Sequence, residues 1–465
     1  MEGSLPSGSK LPSSRELGLV LEVSRNTVKH AYEQLVAEGY LRALTGSGTF
    51  VTDVLPDHVL WTRPRKTTTA GDTSAGTGGL SRRGRSVVAA AAASSVQWGA
   101  FVPGVPDVTE FPHRKFERIT ARWRHRPPAE WLSYASGGGH PELRTALAEY
   151  LRQARSVVCA PEQILITEGV HQAVDLTARM LSDPGDRVWL EEPGYWGVRS
   201  VLRINGLHAQ AVPVDAEGLE IQSSRNAPPK LIFTTPSHQY PLGSLMSLPR
   251  RLRLLDYARQ HRSWIIEDDY DSEFRFSGHP VPSLQGLVPA SPVIYIGTFS
   301  KTVYPGLRVA YMVLPTGLAS AFASAHGELY REGHLMTQAA LAAFLNEGHY
   351  AAHVRRMRLI YAERRSTLIA LIERRLGVGW IHPYDSNGGL HLVLQLPDSV
   401  DDVRLARTAR ARGVVVQPLS RYYGREPRKR GLLLGFACIR PAAMYEPLET
   451  LVACIREEIA TVKCC

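Results

Sequence analysis

From about residue 98 onward, six short β-rich runs alternate with helical stretches: ILIT, DRVWLEE, KLIFTTP, SWIIEDD, VIYIGTF and VAYMVLP. Strands separated by helix-length segments pair in parallel, since the chain must cross back before the next strand begins. Several runs end in polar or Gly/Pro clusters, and an open α/β sheet holds its ligands at the carboxyl ends of its strands. The pattern predicts a largely parallel, three-layer α/β domain over residues 98–465, with its site where those clusters converge.

A chain of 465 residues is too long for one core, and two further parts stand apart by composition. Residues 1–53 read as helices followed by a hairpin. Residues 54–97 are rich in Thr, Ser, Gly, Ala and Pro, with TTTAGDTSAGTGGLSRRGR at their centre, and read as a flexible linker. The net charge of +10 suits a polyanionic partner, and its distribution is uneven. Residues 1–53 carry five Lys/Arg against six Asp/Glu, whereas residues 54–97 carry six against two. Affinity for such a partner is thus expected to lean on the linker as well as on the helices; a merely solvated linker is the alternative. No apolar run approaches the roughly 18 residues of a membrane span. The polar, Pro/Ser-rich start is not a secretory signal. The five cysteines include no spaced pair that reads as a metal site, and a reduced cytoplasmic setting is expected.

In the first part, Ser13 and Glu16 have the spacing of a capping box, and Leu17, Val20 and Leu21 then share one helix face. Glu22 and Val23 form a turn. Ser24 can cap a second helix, whose buried face is Val28, Ala31, Tyr32 and Leu35. Arg25, Asn26, Thr27 and Lys29 stay near its exposed start, where a helix-turn-helix meets the major groove. YLRALTGSGTFV follows as a hairpin with a glycine-rich tip, a wing. Residues 5–51 resemble the winged-helix domain of GntR-type regulators. The resemblance implies DNA contacts from Arg15, Arg25, Thr27, Lys29 and the Gly46 tip, with Ser24 and Asn26 at the same helix start. Family members usually carry an amphipathic helix ahead of MEGSLPSGSKLPSSREL. Three or four apolar side chains at about 1.5–3 kcal/mol each equal a small domain's stability. A start codon further upstream is therefore expected, encoding that helix.

The second constellation centres on Lys301, in YIGTFSKTVYPGLRVAYMVLP. An amine must be neutral to attack an aldehyde; burial and cationic Arg308 would lower its pKa. Thr298, Ser300 and Arg308 can donate to a phosphate. In SWIIEDDYDSEF a carboxylate at a strand end suits a pyridine nitrogen, which it keeps protonated. Asp268 is the choice, with Tyr270 directed at the phenolic oxygen, and Asp269 is the off-by-one alternative. In ILITEGVHQAVDL, the N–H groups of Gly169, Val170 and His171 open a helix and form an anion site. Tyr195 follows a strand, where its ring can stack on the cofactor. His238 and Tyr240, in FTTPSHQYPLG, are further polar candidates.

Residues 98–460 resemble the fold type I pyridoxal-phosphate enzymes of the class I aminotransferase group, and the whole chain resembles the MocR subfamily of GntR regulators. The resemblance implies pyridoxal 5'-phosphate joined to Lys301 as an imine, its ring held by Asp268 and Tyr270 and stacked by Tyr195. Thr298, Arg308 and the Gly169 turn would bind its phosphate. Tyr134, ahead of the SGGG turn, would reach the phosphate of a partner subunit, which implies a homodimer. Three departures stand out. Tyr240, Pro241, Leu242 and Gly243 replace the usual Asn-Pro-Thr-Gly. Val170 replaces a hydroxyl residue. Leu433 falls where an arginine grips the substrate carboxylate, and a leucine cannot form that bidentate pair. Arg421, Arg425, Arg428 and Arg430 lie nearby, either reaching inward or forming a solvated basic loop.

The leading expectation is a DNA-binding transcriptional regulator that senses pyridoxal phosphate, or an amino compound exchanging with Lys301. The 44-residue linker would let each winged helix dock on the partner chain. Two alternatives remain: an active aminotransferase with a vestigial DNA-binding part, and a DNA-binding protein whose large domain only dimerises.

Overall fold

The computed structural model describes residues 5–52, 79–89, 96–135, 137–221, 227–278 and 281–464. The chain forms two compact units, Met1–Gly79 and Leu80–Cys465.

In the first unit, α1 (Ser14–Val20) begins where Ser13 Oγ accepts from the Glu16 N–H at 3.2 Å. Glu22 turns the chain at φ +52°. Then α2 (Arg25–Ala37) starts with Ser24 Oγ accepting from the Thr27 N–H at 3.1 Å. The wing is an antiparallel hairpin of β1 (Leu41–Leu44) and β2 (Gly48–Val51), with Leu41 opposite Val51. Gly46 takes φ +80° at its tip, a conformation that favours glycine. Val28, Leu41 and Val51 are the buried hydrophobic residues of this unit. On the face shared by Leu17, Val20 and Leu21, the last two are 73% and 57% exposed. Helix α1 instead presses its buried Gly18 towards the start of α2, where a Cβ would lie 3.1 Å from the Val23 carbonyl oxygen, so its other side faces outward. Ala31 is also exposed, while Leu17, Tyr32 and Leu35 are half-buried.

Most of the expected linker lies outside the described residues. Within it, Arg82–Ala89 is helical rather than flexible. That helix belongs to the second unit and packs on the helix Trp196–Ile204, where Arg83 Nη1 donates to the Ile204 carbonyl at 3.3 Å.

All six anticipated strands form: β3 (Ile164–Thr167), β4 (Arg187–Glu192), β7 (Leu231–Thr234), β8 (Trp264–Asp269), β9 (Val293–Thr298) and β10 (Ala310–Val313). With β5 (His208–Asp215) and β6 (Gly218–Leu219) they make an eight-stranded sheet of order β3-β10-β9-β8-β7-β4-β5-β6. The sheet is mixed, with its central run of strands parallel as expected. β10 runs antiparallel to both its neighbours and β6 is antiparallel to β5, while β9, β8, β7, β4 and β5 pair in parallel. Apolar clusters fill the space between sheet and helices. One joins the helix Val170–Leu181 to β8, β9 and β10, and another joins the helix Leu248–His261 to β4, β7 and β8. A second, antiparallel sheet of β11 (His391–Leu396), β13 (Arg430–Gly435) and β12 (Gln417–Pro418) packs with the helices His349–Leu376, Asp402–Ala411 and Tyr445–Cys464 around its own core.

The segment 101–107 links these two layers. Phe101 bridges to Gly435, and the Asp107 N–H donates to Tyr361 Oη at 2.8 Å. Arg364, buried, donates to Asp107 Oδ2 at 2.8 Å and also to the Ala437 carbonyl. Burial works against the Asp107 carboxylate, but hydrogen bonds from Thr109 and Arg364 hold its pKa below the usual range. Arg364→Met leaves that buried carboxylate short of its partner. The expected cost is about 3–5 kcal/mol, read as a lowered urea midpoint. The folded carboxyl is depressed, so its stabilisation is lost as pH falls. The gap between wild type and variant should therefore close below about pH 4.

Candidate cofactor site

Lys301 lies in the turn after β9, and its Nζ donates to the Gly104 carbonyl at 2.6 Å. It opens on a cavity of about 350 Å³. Burial lowers the amine's pKa, against the pull of Asp271 and Asp268. The expected assistance from Arg308 is corrected: burial alone drives the shift, and the charges that bear on the amine oppose it.

At the end of β8 successive side chains alternate sides. Asp268 lines the cavity, and burial with neighbouring Asp269 pushes its carboxyl up to about 8. Its Oδ1 is buried without a hydrogen-bond partner. Asp269 turns the other way, paired with Arg155 Nε at 2.6 Å and accepting from Tyr295 Oη at 2.6 Å. It is a structural ion pair, so geometry favours Asp268 over the off-by-one alternative. Tyr270 lines the cavity just beyond.

His238 does not line this cavity. It stands behind Tyr270, its Nδ1 2.9 Å from Tyr270 Oη and 3.1 Å from Asp271 Oδ1. Burial opposes the imidazolium, but Asp271 prevails and raises its pKa. A hydrogen on Nδ1 then points at Asp271 and the phenol oxygen, which frees the Tyr270 hydrogen for the cavity. Tyr240 does line the cavity; its ring meets Tyr195 at 5.8 Å and Tyr270 at 5.6 Å, and its hydroxyl meets Tyr422 Oη at 3.2 Å.

At the other end, Gly169 takes φ +112° and caps the helix Val170–Leu181. A Cβ on Gly169 would come within 2.8 Å of Arg308 Nη2, so the turn and the guanidinium approach as only glycine permits. Arg308 Nη2 donates to the Glu168 carbonyl at 2.6 Å, and Ser300 accepts from Thr298 Oγ1 at 3.0 Å. Val170, Thr298, Ser300 and Arg308 all face the cavity, as does His171, which meets Tyr195 Oη at 2.9 Å. A helix start, two hydroxyls and a guanidinium are groups that suit a phosphate. Tyr134 is 81% exposed and lies away from this cavity. Among the described residues no cluster of His, Cys, Asp and Glu could hold a metal ion, and no helix is long and apolar enough to cross a membrane.

Sequence reasoning missed Gly104, Thr235 and Trp196, which also line the cavity. Gly104 had a signal in its FVPGVP turn, and it takes φ +74°. Leu433 is fully buried against Val393, Leu419 and Tyr422, with Trp196 and Tyr240 packed on that cluster, and of these only Trp196 and Tyr240 line the cavity. Arg430 is engaged with Ser420 at 2.9 Å and with Asp402, while Arg425 and Arg428 are exposed. Arg421 is the one of the four beside a cavity residue, its guanidinium carbon 5.0 Å from the Trp196 ring.

These residues fit pyridoxal phosphate. A buried amine stands ready for the aldehyde. An unpartnered acid suits the ring nitrogen, a phenol hydrogen suits the ring oxygen, and the Gly169 turn suits the phosphate. Residues 113–430 match the class I and II aminotransferase family, and residues 1–51 match the GntR family of bacterial regulatory proteins. The chain is 41% identical to the probable rhizopine catabolism regulatory protein MocR of Rhizobium meliloti, over 97% of this chain and 90% of that protein. It is 35% identical to the pyridoxine biosynthesis regulator PdxR of Corynebacterium glutamicum, over 93% of this chain and 88% of that protein. Among solved structures it resembles the α-aminoadipate aminotransferase LysN of Thermus thermophilus, complexed with N-(5'-phosphopyridoxyl)-L-leucine. The TM-score is 0.73 at 26% identity, covering 81% of this chain and 98% of that one. The chain belongs to the MocR-type regulators, in which a GntR helix-turn-helix domain is joined to an aminotransferase-like domain of the pyridoxal-phosphate fold.

Proposed function

We propose that this chain is a cytoplasmic, homodimeric transcription regulator that grips operator DNA with its winged helix and takes pyridoxal phosphate at Lys301. The signal is the cofactor itself or an amino compound reaching the same cavity. The observation that carries the reading is the buried Lys301 amine sharing one cavity with the unpartnered Asp268 carboxyl, on a chain that begins with a DNA-binding domain. When bound, the cofactor supplies an electrophilic aldehyde and an electron-sink ring. Asp268 holds the proton at the ring nitrogen, and Tyr270 directs its hydrogen at the ring oxygen. Gly169, Val170, His171, Thr298, Ser300 and Arg308 hold the phosphate, and Tyr195 stacks on the ring. Tyr134 is assigned to the phosphate of the partner's site, as its exposure allows.

Steady transamination is the weaker reading. The cluster around Leu433 is apolar, and three of the four nearby arginines are engaged or face solvent.

Transmission runs through the helix Trp196–Ile204. Its first residue and Tyr195 before it line the cavity, and the helix Arg82–Ala89, which follows the DNA-binding unit in the sequence, packs on its far part. A ligand that presses on Tyr195 and Trp196 shifts the surface on which that helix rests.

Lys301→Ala should leave purified protein colourless after incubation with pyridoxal phosphate, where wild type turns yellow. In wild type the colour should rise with pH through a midpoint below the ~10.4 of a free lysine, because the amine gives up its proton more readily when buried. A colour that survives the substitution sinks the reading.

Arg25→Ala should weaken operator binding in band shifts by about 1–3 kcal/mol without touching the colour. Equal affinity would remove Arg25 from the DNA contacts.

Arg83→Ala should keep the colour but cut the cofactor's effect on operator affinity, taken as the ratio of affinities with and without cofactor, about fivefold, the worth of one hydrogen bond. An unaltered response would show that coupling bypasses that helix.

A further inference from the structure

Behind the wall that carries Tyr270 lies a second cavity, about 230 Å³ in volume, which the cofactor reading leaves unused. The two cavities share one hydrogen-bonded pair. Tyr270 lines the first and His238 the second, with Tyr270 Oη 2.9 Å from His238 Nδ1.

The polar groups of this second cavity are unevenly satisfied. Arg155 is fully engaged, by Asp269 at 2.6 Å, Ser237 Oγ at 2.7 Å and the Val281 carbonyl at 2.5 Å. Asp271 is taken by His238. Arg275 is different: its Nε is buried without a partner, and its guanidinium forms no hydrogen bond or ion pair among the described residues. The hydroxyls of Ser272 and Ser386 are likewise buried and unpartnered. Arg358 lies on the lining too, exposed, with only its Nε engaged by the Glu273 carbonyl at 2.9 Å. The remaining counter-charge is Glu273, which already accepts from Tyr150 Oη at 3.1 Å. Burial pushes its carboxyl up to about 7, so near neutrality it answers two guanidinia with less than a full charge.

Buried donors without acceptors are rare in folded proteins, and where several converge on a cavity they mark a missing acceptor. We propose that this cavity binds a small anion, a carboxylate or phosphate group, held by Arg275, Arg358 and the hydroxyls of Ser272 and Ser386. Its occupancy is felt at the cofactor through His238 and Tyr270. An anion beside His238 favours the imidazolium, which tightens the Nδ1–H hold on the Tyr270 oxygen and commits the phenol hydrogen to the cofactor side. Binding itself stands apart from the cofactor reading; only the coupling rests on it.

The test is calorimetric titration of the full chain, saturated with pyridoxal phosphate, with sodium phosphate in one arm and sodium succinate in the other. Sodium chloride at matched ionic strength is the blank. Expected is one site per chain in at least one arm, weakened about tenfold or more in Arg275→Met and severalfold in Ser386→Ala. Both variants should keep the wild-type melting profile. Phosphate alone binding assigns a phosphate ester, and succinate alone assigns a carboxylate. The cofactor's visible absorbance should shift on binding in wild type and stay still in Arg275→Met. No heat beyond chloride in either arm, or binding that both variants retain in full, overturns the site. Binding without any absorbance shift in a yellow protein overturns the coupling. A protein that never turns yellow refutes the cofactor reading, while the heats still report on this site.

Discussion

The large unit is organised around the burial of one amine and one acid in the same cavity. Among the described residues neither Lys301 nor Asp268 has a salt-bridge partner; Lys301 rests on a backbone carbonyl and Asp268 leaves an oxygen unpaired. Burial pushes each group towards its neutral form, the acid up to about 8 and the amine downward. An unpaired buried polar group of this kind costs about 1–3 kcal/mol. The rest of the unit supports that cost with conventional packing, because the strands beneath the cavity are almost wholly buried. A ligand that brings a ring nitrogen and an aldehyde would give both groups a partner.

Support for the cavity is itself polar, and it works through residues that never touch a ligand. Asp269, one position beyond Asp268, is tied to Arg155 and Tyr295, which pins the end of β8 and so the direction of Asp268. Glu191, buried at the end of β4, accepts from Thr234 Oγ1 at 2.6 Å and from Thr235 Oγ1 at 2.6 Å, and Thr235 lines the cavity. Gly389 lets the small antiparallel layer come up against His238, since a Cβ there would fall 2.1 Å from His238 Cε1. The phenol of Tyr270 thus receives its orientation from both layers, through His238 and Asp271.

What the sequence showed and what it hid divide along sequence distance. The caps at Ser13 and Ser24, the Gly46 tip and the six strands rest on contacts a few residues apart, and they were legible. Lys301, Asp268 and the Gly169 turn were legible because each closes a strand. The antiparallel run of β10 was not, since its direction depends on pairing with β3 and β9. Gly104 was missed because it meets Lys301 across nearly two hundred residues. His238 was placed one layer too near the ligand, because spacing along FTTPSHQYPLG cannot tell the front of Tyr270 from its back. Val20 and Leu21 have the period of a buried face, but within their unit α2 meets only the side that carries Gly18.

The apolar cluster at Leu433 bears on what such a site can distinguish. A charge-assisted grip on a carboxylate gives an amino acid both affinity and orientation. Here Leu433, Val393 and Leu419 pack with Tyr240 and Trp196, and those two aromatic residues are the part of the cluster that lines the cavity. Discrimination by apolar and aromatic surface is limited to about 1–3 kcal/mol per methylene. A ligand can move an equilibrium only by its difference in affinity for the two states. The strong, directional groups that line this cavity, the Lys301 amine, the Asp268 acid, the Tyr270 phenol and the Arg308 guanidinium, suit the proposed cofactor. On the proposed reading, the free energy available for switching resides mainly in cofactor occupancy. Tyr195 and Trp196, where the cavity wall becomes a helix, are the contacts through which occupancy can be felt outside it.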